Sequence, residues 1–271
     1  MRMRVLITVK TYPTLSSKYD ELVCTAGFNE NGEWIRLYPI PYRKLDFANQ
    51  YNKYDWIELD VMRNNEDPRP ESYRPTNVDD IQKIGHLDTE NGKWTQRKSI
   101  VFRKVFTSMA DLIAEAKNRD ISTSLAVFKP TKILDFKWEV EEETEWSADK
   151  LAVLQQQNIF EQEGASFNPV RKLPYKFKYV FESASGQTHS MMIEDWEIGA
   201  LYWNGFKKFC NGEKACEYVR EKYFDTFTNK HDLHFFLGTT RQFHFMAPNP
   251  FIIIGTFHPL LQYQTDLFGG D

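Results

Sequence analysis

The sequence predicts an α+β protein, with an N-terminal, mostly-β, small barrel-like part followed by a C-terminal α+β part. Three observations predict it. The first hundred residues fall into short β-branched or alternating runs separated by turn residues, which favours a small barrel over a helical domain. Helical periodicity behind a capping residue first appears after Ser108. Beyond residue 170 come two paired strand-like runs, two helical stretches and two further strand-like runs.

Val5–Val9 is β-branched, and Glu21–Ala26 follows a Pro/Ser turn. Asn31-Gly32 is a strong turn signal directly ahead of Trp34–Tyr38. Tyr54–Val61 alternates polar and apolar residues as a half-buried strand does, and Ile100–Phe106 reads the same way. Ser108 caps a helix over Met109–Arg119, with Asp111 in its first turn and Met109, Leu112, Ile113 and Ala116 on one face. Ser147 caps a second, to about Glu163, ended by Gly164. Tyr175–Phe181 and Thr188–Ile193 flank a Ser183–Gly186 turn and predict a hairpin. Glu194–Phe209 and Glu213–Phe224 read as helices. Leu233–Leu237 and Phe251–Phe257 read as strands, the second buried on both faces.

Charge divides the chain more sharply than hydropathy does. The net charge is −4. Residues 1–137 carry +3, residues 138–170 carry −7, and residues 171–271 are neutral. The division gives a β-rich domain over 1–137, an acidic helical connector over 138–170 and an α+β domain over 171–271. The acidic excess centres on Glu139, Glu141, Glu142, Glu143 and Glu145. Confined to a connector, it does not argue against a polyanion partner. No run reaches the roughly 18 apolar residues of a membrane span, and Met1–Arg4 leads into a strand-like run rather than a leader. Three cysteines suit a reducing compartment better than a disulfide scaffold. The expectation is a cytoplasmic protein with no membrane partner and no cofactor.

Five polar clusters carry possible chemistry. Lys10–Glu21 offers Lys18, hydroxyls and rings suited to phosphate and base, with Cys24 beyond it read as a small core residue. Trp34, Arg36 and Tyr38 share a strand face by period two, with Arg43 following. Cationic and aromatic side chains interleaved on an exposed face form a platform for single-stranded or flipped nucleotides. Asp67–Pro75 holds Arg69, Glu71 and Arg74 on a proline-stiffened loop, which can position phosphate or close on itself through Arg–carboxylate forks. At Glu194–Glu197, Asp195 reads either as a helix cap or as a carboxylate beside the Trp196 wall. Gly238–His244 supplies Arg241, Gln242 and His244 for phosphate or base edges. Cys210, Cys216, His231 and His234 are spaced by five and two residues, outside the usual zinc windows, and predict no metal site.

Lys10–Pro13, Cys24–Gly27, Arg36–Pro39, Glu194–Glu197 and Phe235–Thr239 resemble the corresponding stretches of an uncharacterised bacterial protein family to which no activity is attached. The barrel-then-hairpin layout is distantly similar to small-barrel readers of modified nucleic acid, a likeness of fold that transfers no catalytic residue.

The expectation is a protein that binds DNA or RNA, in bacterial defence or nucleic-acid processing, with DNA glycosylase-type base excision as its enzymatic form. There an extruded base stacks on an aromatic while a carboxylate steadies the sugar cation or directs water. Asp195 is the first catalytic candidate and Glu71 the second. The alternative is a non-catalytic protein-interaction or complex-assembly module.

Overall fold

The computed structural model describes residues 1–16, 20–148, 151–152 and 169–262. Its first unit is a closed barrel. Strands β1 (Arg2–Lys10), β3 (Asp20–Asn29), β4 (Trp34–Ile40), β6 (Ser72–Pro75) and β5 (Asp55–Arg63) pair in that order, and β5 returns to β1. A short β2 (Thr14–Ser16) joins β3, and β7 (Gln82–His86) joins β5. All pairs of the closed ring are antiparallel except β4–β6.

β1 shows why the run is apolar on both sides. Val5 and Ile7 fill the barrel interior with Val23, Ile35, Leu37, Ile57 and Leu59. Leu6 and Val9 instead join Phe28, Leu125, Val127, Phe236, Ile254 and Phe257 in the seam between barrel and C-terminal strands. The pairing of β1 with β3 shifts register between Ile7 and Val9, a bulge that accompanies the change of side. Gly27 sits opposite Ile7, and a Cβ there would lie 1.9 Å from the Leu6 carbonyl oxygen. Gly27→Ala therefore forces backbone apart in the barrel wall and is expected to cost about 3 kcal/mol or more. The midpoint of urea unfolding checks this; an unchanged midpoint would show that the wall yields freely.

The remaining strands form two sheets. One, of four strands, runs β14 (Phe251–Phe257), β13 (His234–Thr239), β9 (Leu125–Phe128), β8 (Val105–Phe106); the other runs β10 (Lys132–Val140), β11 (Tyr175–Glu182), β12 (Thr188–Met192). Pairing thus passes from the barrel to the C-terminal strands at residue 105, well ahead of the boundary at 137 read from charge. Helices α1 (Thr95–Val101) and α2 (Met109–Lys117) precede β9; α3 (Trp196–Phe209), α4 (Gly212–Arg220), a π-helical turn Glu221–Thr226 and α5 (Phe227–Lys230) precede β13. Tyr202, Ala215, Val219 and Tyr223 from the helical stretch bury against Phe136, Phe177, Tyr179 and Phe235 of the sheets.

Ser108 caps α2 by accepting from the Asp111 amide, and β14 is buried along nearly its whole length, both as expected. Ile100–Phe106 is the exception. Its first residues finish α1 and only Val105–Phe106 is strand. Tertiary packing overrides the alternation: Arg97 lies 3.6 Å from the Tyr54 ring centroid, and Val101 is buried in the seam. The helix expected after Ser147 falls mostly outside the described residues. The acidic run begins inside β10, where Glu139 pairs with Lys178 at 2.6 Å; Glu141, just past the strand, pairs with Lys176 at 3.0 Å. Among the described residues no helix is long and apolar enough to cross a membrane.

Candidate functional site

A cleft of about 430 Å³ opens where the barrel meets β13 and β14. The barrel contributes Cys24 from β3, Arg36 and Tyr38 from β4, Asp67 and Arg69 from the proline loop, and Arg74 from β6. The C-terminal part contributes Glu194, Gly238–Arg241, Ile252 and Ile254. Tyr12 completes the wall. At Gly238 a Cβ would stand 2.7 Å from Ile254 Cδ1, so glycine keeps this wall close to β14.

Arg36 holds the seam together. It is 2% exposed. Nη1 donates to Ser124 Oγ at 2.7 Å and to Ser72 Oγ at 3.4 Å, while Nη2 donates to the Ser124 carbonyl at 3.2 Å and the Thr239 carbonyl at 3.5 Å. Ser124 Oγ in turn donates to Glu71 Oε1 at 2.7 Å. Every one of these acceptors on Arg36 is neutral, and among the described residues it has no ion pair. Burial, and then Arg69, weaken its hold on the proton, yet a guanidinium stays charged in proteins. Its Nη hydrogens are thus taken up within the seam, so Arg36 lends the cleft positive charge while its hydrogen bonds tie the barrel to the C-terminal strands.

Arg69 is spoken for. Its Nε and Nη2 meet Asp67 Oδ1 and Oδ2 at 2.8 and 2.5 Å, and Nη1 donates to the Thr239 carbonyl. Burial alone would raise the Asp67 carboxyl; the Arg69 fork and the Ser72 hydroxyl outweigh it and hold the group at about 2. Because the folded value lies below the ordinary 3.8, the pair stabilises the fold above about pH 4 and loses that contribution as pH falls through 2. The loss is expected to be about 2 kcal/mol. Urea unfolding of the wild type and Asp67→Asn between pH 5 and pH 2.5 measures it: the variant should show a flatter acid limb, and parallel limbs would refute the assignment.

Arg74 and Arg241 are exposed at the rim, and among the described residues neither has an ion pair. Four arginines thus line the cleft against Glu66, Asp67 and Glu194, and Asp67 is already neutralised by its fork. Glu194 accepts no side-chain hydrogen bond among the described residues. Burial, and then Glu141, push its carboxyl above the usual range.

The structure redistributes the residues read from sequence. Trp34 and Arg36 do share a face, but it is covered rather than exposed: Trp34 packs on Phe28 and Phe236 at 4.0 and 5.7 Å, and Arg36 bonds across to β13. The open aromatic platform is therefore replaced by a seam whose rim carries Tyr38, 40% exposed. Arg43 turns away and pairs with buried Glu21 at 2.7 Å. His244 is sealed inside, between the Ser122 and Thr239 hydroxyls at 2.9 Å each, so it anchors its loop and meets no base. Gln242 is exposed on that loop but does not line the cleft. Lys18 lies outside the described residues.

Neither catalytic candidate lines the cleft. Glu71 ties the barrel to Ser124 and lines a separate cavity of about 500 Å³, with Oε2 buried and unpartnered. Asp195 is wholly buried; it caps α3 through the Glu197 amide at 3.3 Å and holds Lys53 at 3.0 and 3.2 Å. Burial pushes its carboxyl up against the pull of Lys53. Trp196 and Glu197 face a further cavity, so the turn sends Glu194 to the cleft and its successors elsewhere. The capping preference pointed to Asp195 as structural; that Glu194 reaches the cleft follows from its amide bonding to the Ile253 carbonyl at 2.8 Å, a contact no local pattern announces. Among the described residues no group of three or more His, Cys, Asp or Glu side chains is arranged to hold a metal.

Fold and site define an α+β protein in which a closed barrel is stitched by buried arginines to a helix-packed C-terminal part, with an arginine-lined cleft at the seam. Residues 1–103 match a family described as Domain of unknown function (DUF8758), and residues 105–269 match Domain of unknown function (DUF8757). The second match covers more than half of the sequence, and the chain belongs to that family. No curated protein matches the chain.

Proposed function

We propose that the protein binds nucleic acid and takes one nucleotide into the cleft. The observation that carries the reading is the pair of exposed guanidiniums, Arg74 and Arg241, that line one concave wall with buried Arg36 behind them, none of the three having an ion pair among the described residues. Arg36 is fixed by the fold, and the two rim arginines supply phosphate contacts. Tyr12 and Tyr38 offer rings for the base, which needs a π-face and no sequence-specific contact. The volume suits a nucleotide rather than a duplex.

In the enzymatic form, base excision, the acid is Glu194 in place of Asp195. Burial favours the protonated form of this carboxyl, and in that form it donates its proton to the departing base as the N-glycosidic bond breaks; water then adds at the sugar carbon and gives its proton back to the carboxylate. Glu194→Gln is expected to leave affinity within about twofold and to abolish release of free base. Unchanged base release by that variant, or none by the wild type on modified and unmodified DNA, would remove the enzymatic form and leave the binding form standing.

Binding is tested by fluorescence anisotropy of a labelled single strand across a salt series. Phosphate neutralisation makes log affinity fall linearly with log salt, with a slope near −0.7 per phosphate contact on a single strand. A flat response, or no binding, would favour an apolar protein partner instead.

A further inference from the structure

The further cavity that Trp196 and Glu197 face has a volume of about 450 Å³, and its lining includes Lys10, Lys53, Arg97 and His258. Lys10 is 8% exposed. Its Nζ donates to the Tyr42 hydroxyl at 3.2 Å and the Tyr51 carbonyl at 3.1 Å, and it lies 4.2 and 5.2 Å from the Tyr42 and Trp196 ring centroids. No carboxylate pairs with it among the described residues. Of the three acids nearby, Asp195 and Glu197 are committed to Lys53 at 3.0 and 2.9 Å, and Asp55 meets the His86 ring at 2.7 Å.

Lys10 is therefore an amine held among rings and neutral oxygens beside a second ammonium. Both features disfavour its charged form: burial first and Lys53 second push it down to about 8. Arg97 is a second cation on the same wall, 5% exposed; it donates to the Leu87 carbonyl, stacks on Tyr54 and Trp94, and has no ion pair among the described residues. With Lys53 held by Asp195 and Glu197, Arg97 is the cation of this lining, besides Lys10 itself, that has no carboxylate partner among the described residues.

We infer that Lys10 is an imine-forming amine and that this cavity takes a small oxo acid, a carbonyl compound bearing a carboxylate. The Lys10 nitrogen lone pair attacks the carbonyl carbon to form a C–N bond. The carbonyl oxygen then departs as water, taking one proton from the nitrogen and one from solvent. The product is a protonated imine, with no change of oxidation state. Desolvation in an apolar pocket and a neighbouring cation are the two established ways of activating a lysine for this step. Arg97 holds the carboxylate. The site is independent of the arginine-lined cleft.

The wild-type protein, incubated at pH 7 with glyoxylate and cyanoborohydride, reports the imine as a carboxymethyl group left on the modified lysine, located by peptide mass mapping. Lys10 is expected to be labelled about tenfold faster than the exposed Lys83 and Lys132. Acetaldehyde, which has no carboxylate, should lose most of that preference. Arg97→Gln should reduce glyoxylate labelling of Lys10 and leave acetaldehyde labelling unchanged, with circular dichroism confirming the fold. Labelling of Lys10 no faster than Lys83 and Lys132 overturns the imine-forming role. Equal selectivity for acetaldehyde and glyoxylate overturns the oxo-acid specificity.

Discussion

Asp195→Ala is expected to lower the unfolding free energy by about 3–5 kcal/mol, the usual cost of stripping one partner from a buried ion pair. Lys53 is only 8% exposed in its side chain and Asp195 not at all, so water cannot replace the lost carboxylate. Glu197 remains as a partner but is 48% exposed, and solvent shares its charge. The variant also loses the α3 cap, about 1 kcal/mol of that total. Asp195→Asn separates the two effects, because an amide still accepts from the Glu197 amide but carries no charge. Adding Lys53→Met to Asp195→Asn should recover part of the loss, since the stranded ammonium is then gone. Urea unfolding of the three variants decides it. A loss below about 1 kcal/mol in Asp195→Ala would mean that the pair is effectively solvated.

The second large effect falls on binding rather than stability. Arg74→Ala combined with Arg241→Ala should weaken single-strand binding by at least tenfold at moderate salt and reduce the magnitude of the salt slope by about 1.4, whatever the base sequence. Both side chains are exposed and without ion pairs among the described residues, so the unfolding midpoint should stay within the range of ordinary surface substitutions, about 0.5 kcal/mol. An unchanged salt slope in a folded double variant would place the phosphates elsewhere on the molecule.

Local signals in the sequence were read well where local chemistry decides the outcome. Asn31-Gly32 turns β3 into β4, Ser108 caps α2, and Asp195 caps α3. Period two put Trp34 and Arg36 on one face, which the structure bears out. What the period could not say is what covers that face. Arg36 finds its acceptors on residues 88 and 203 positions away, and nothing near position 36 encodes their arrival. A guanidinium satisfied by carbonyls and hydroxyls is indistinguishable in sequence from one awaiting phosphate. The same limit applies to Ile100–Phe106, where a short alternating run is overruled by the packing of Arg97 and Val101 against Tyr54 and the seam. The residues around Glu194 were legible as a cluster, but the identity of the one that reaches the cleft depends on a backbone bond to β14.

The seam also governs how far the two matched regions can act as separate parts. The boundary between the family matches falls at residues 103 and 105, yet Leu6, Phe28 and Tyr54 on one side bury against Leu125, Phe236 and Phe257 on the other, and Arg36 draws its hydrogen bonds from across the same divide. Severed there, the barrel would present a greasy wall with a stranded guanidinium at its centre, and the C-terminal piece the matching half. The two matched regions are therefore expected to unfold together, as one cooperative block.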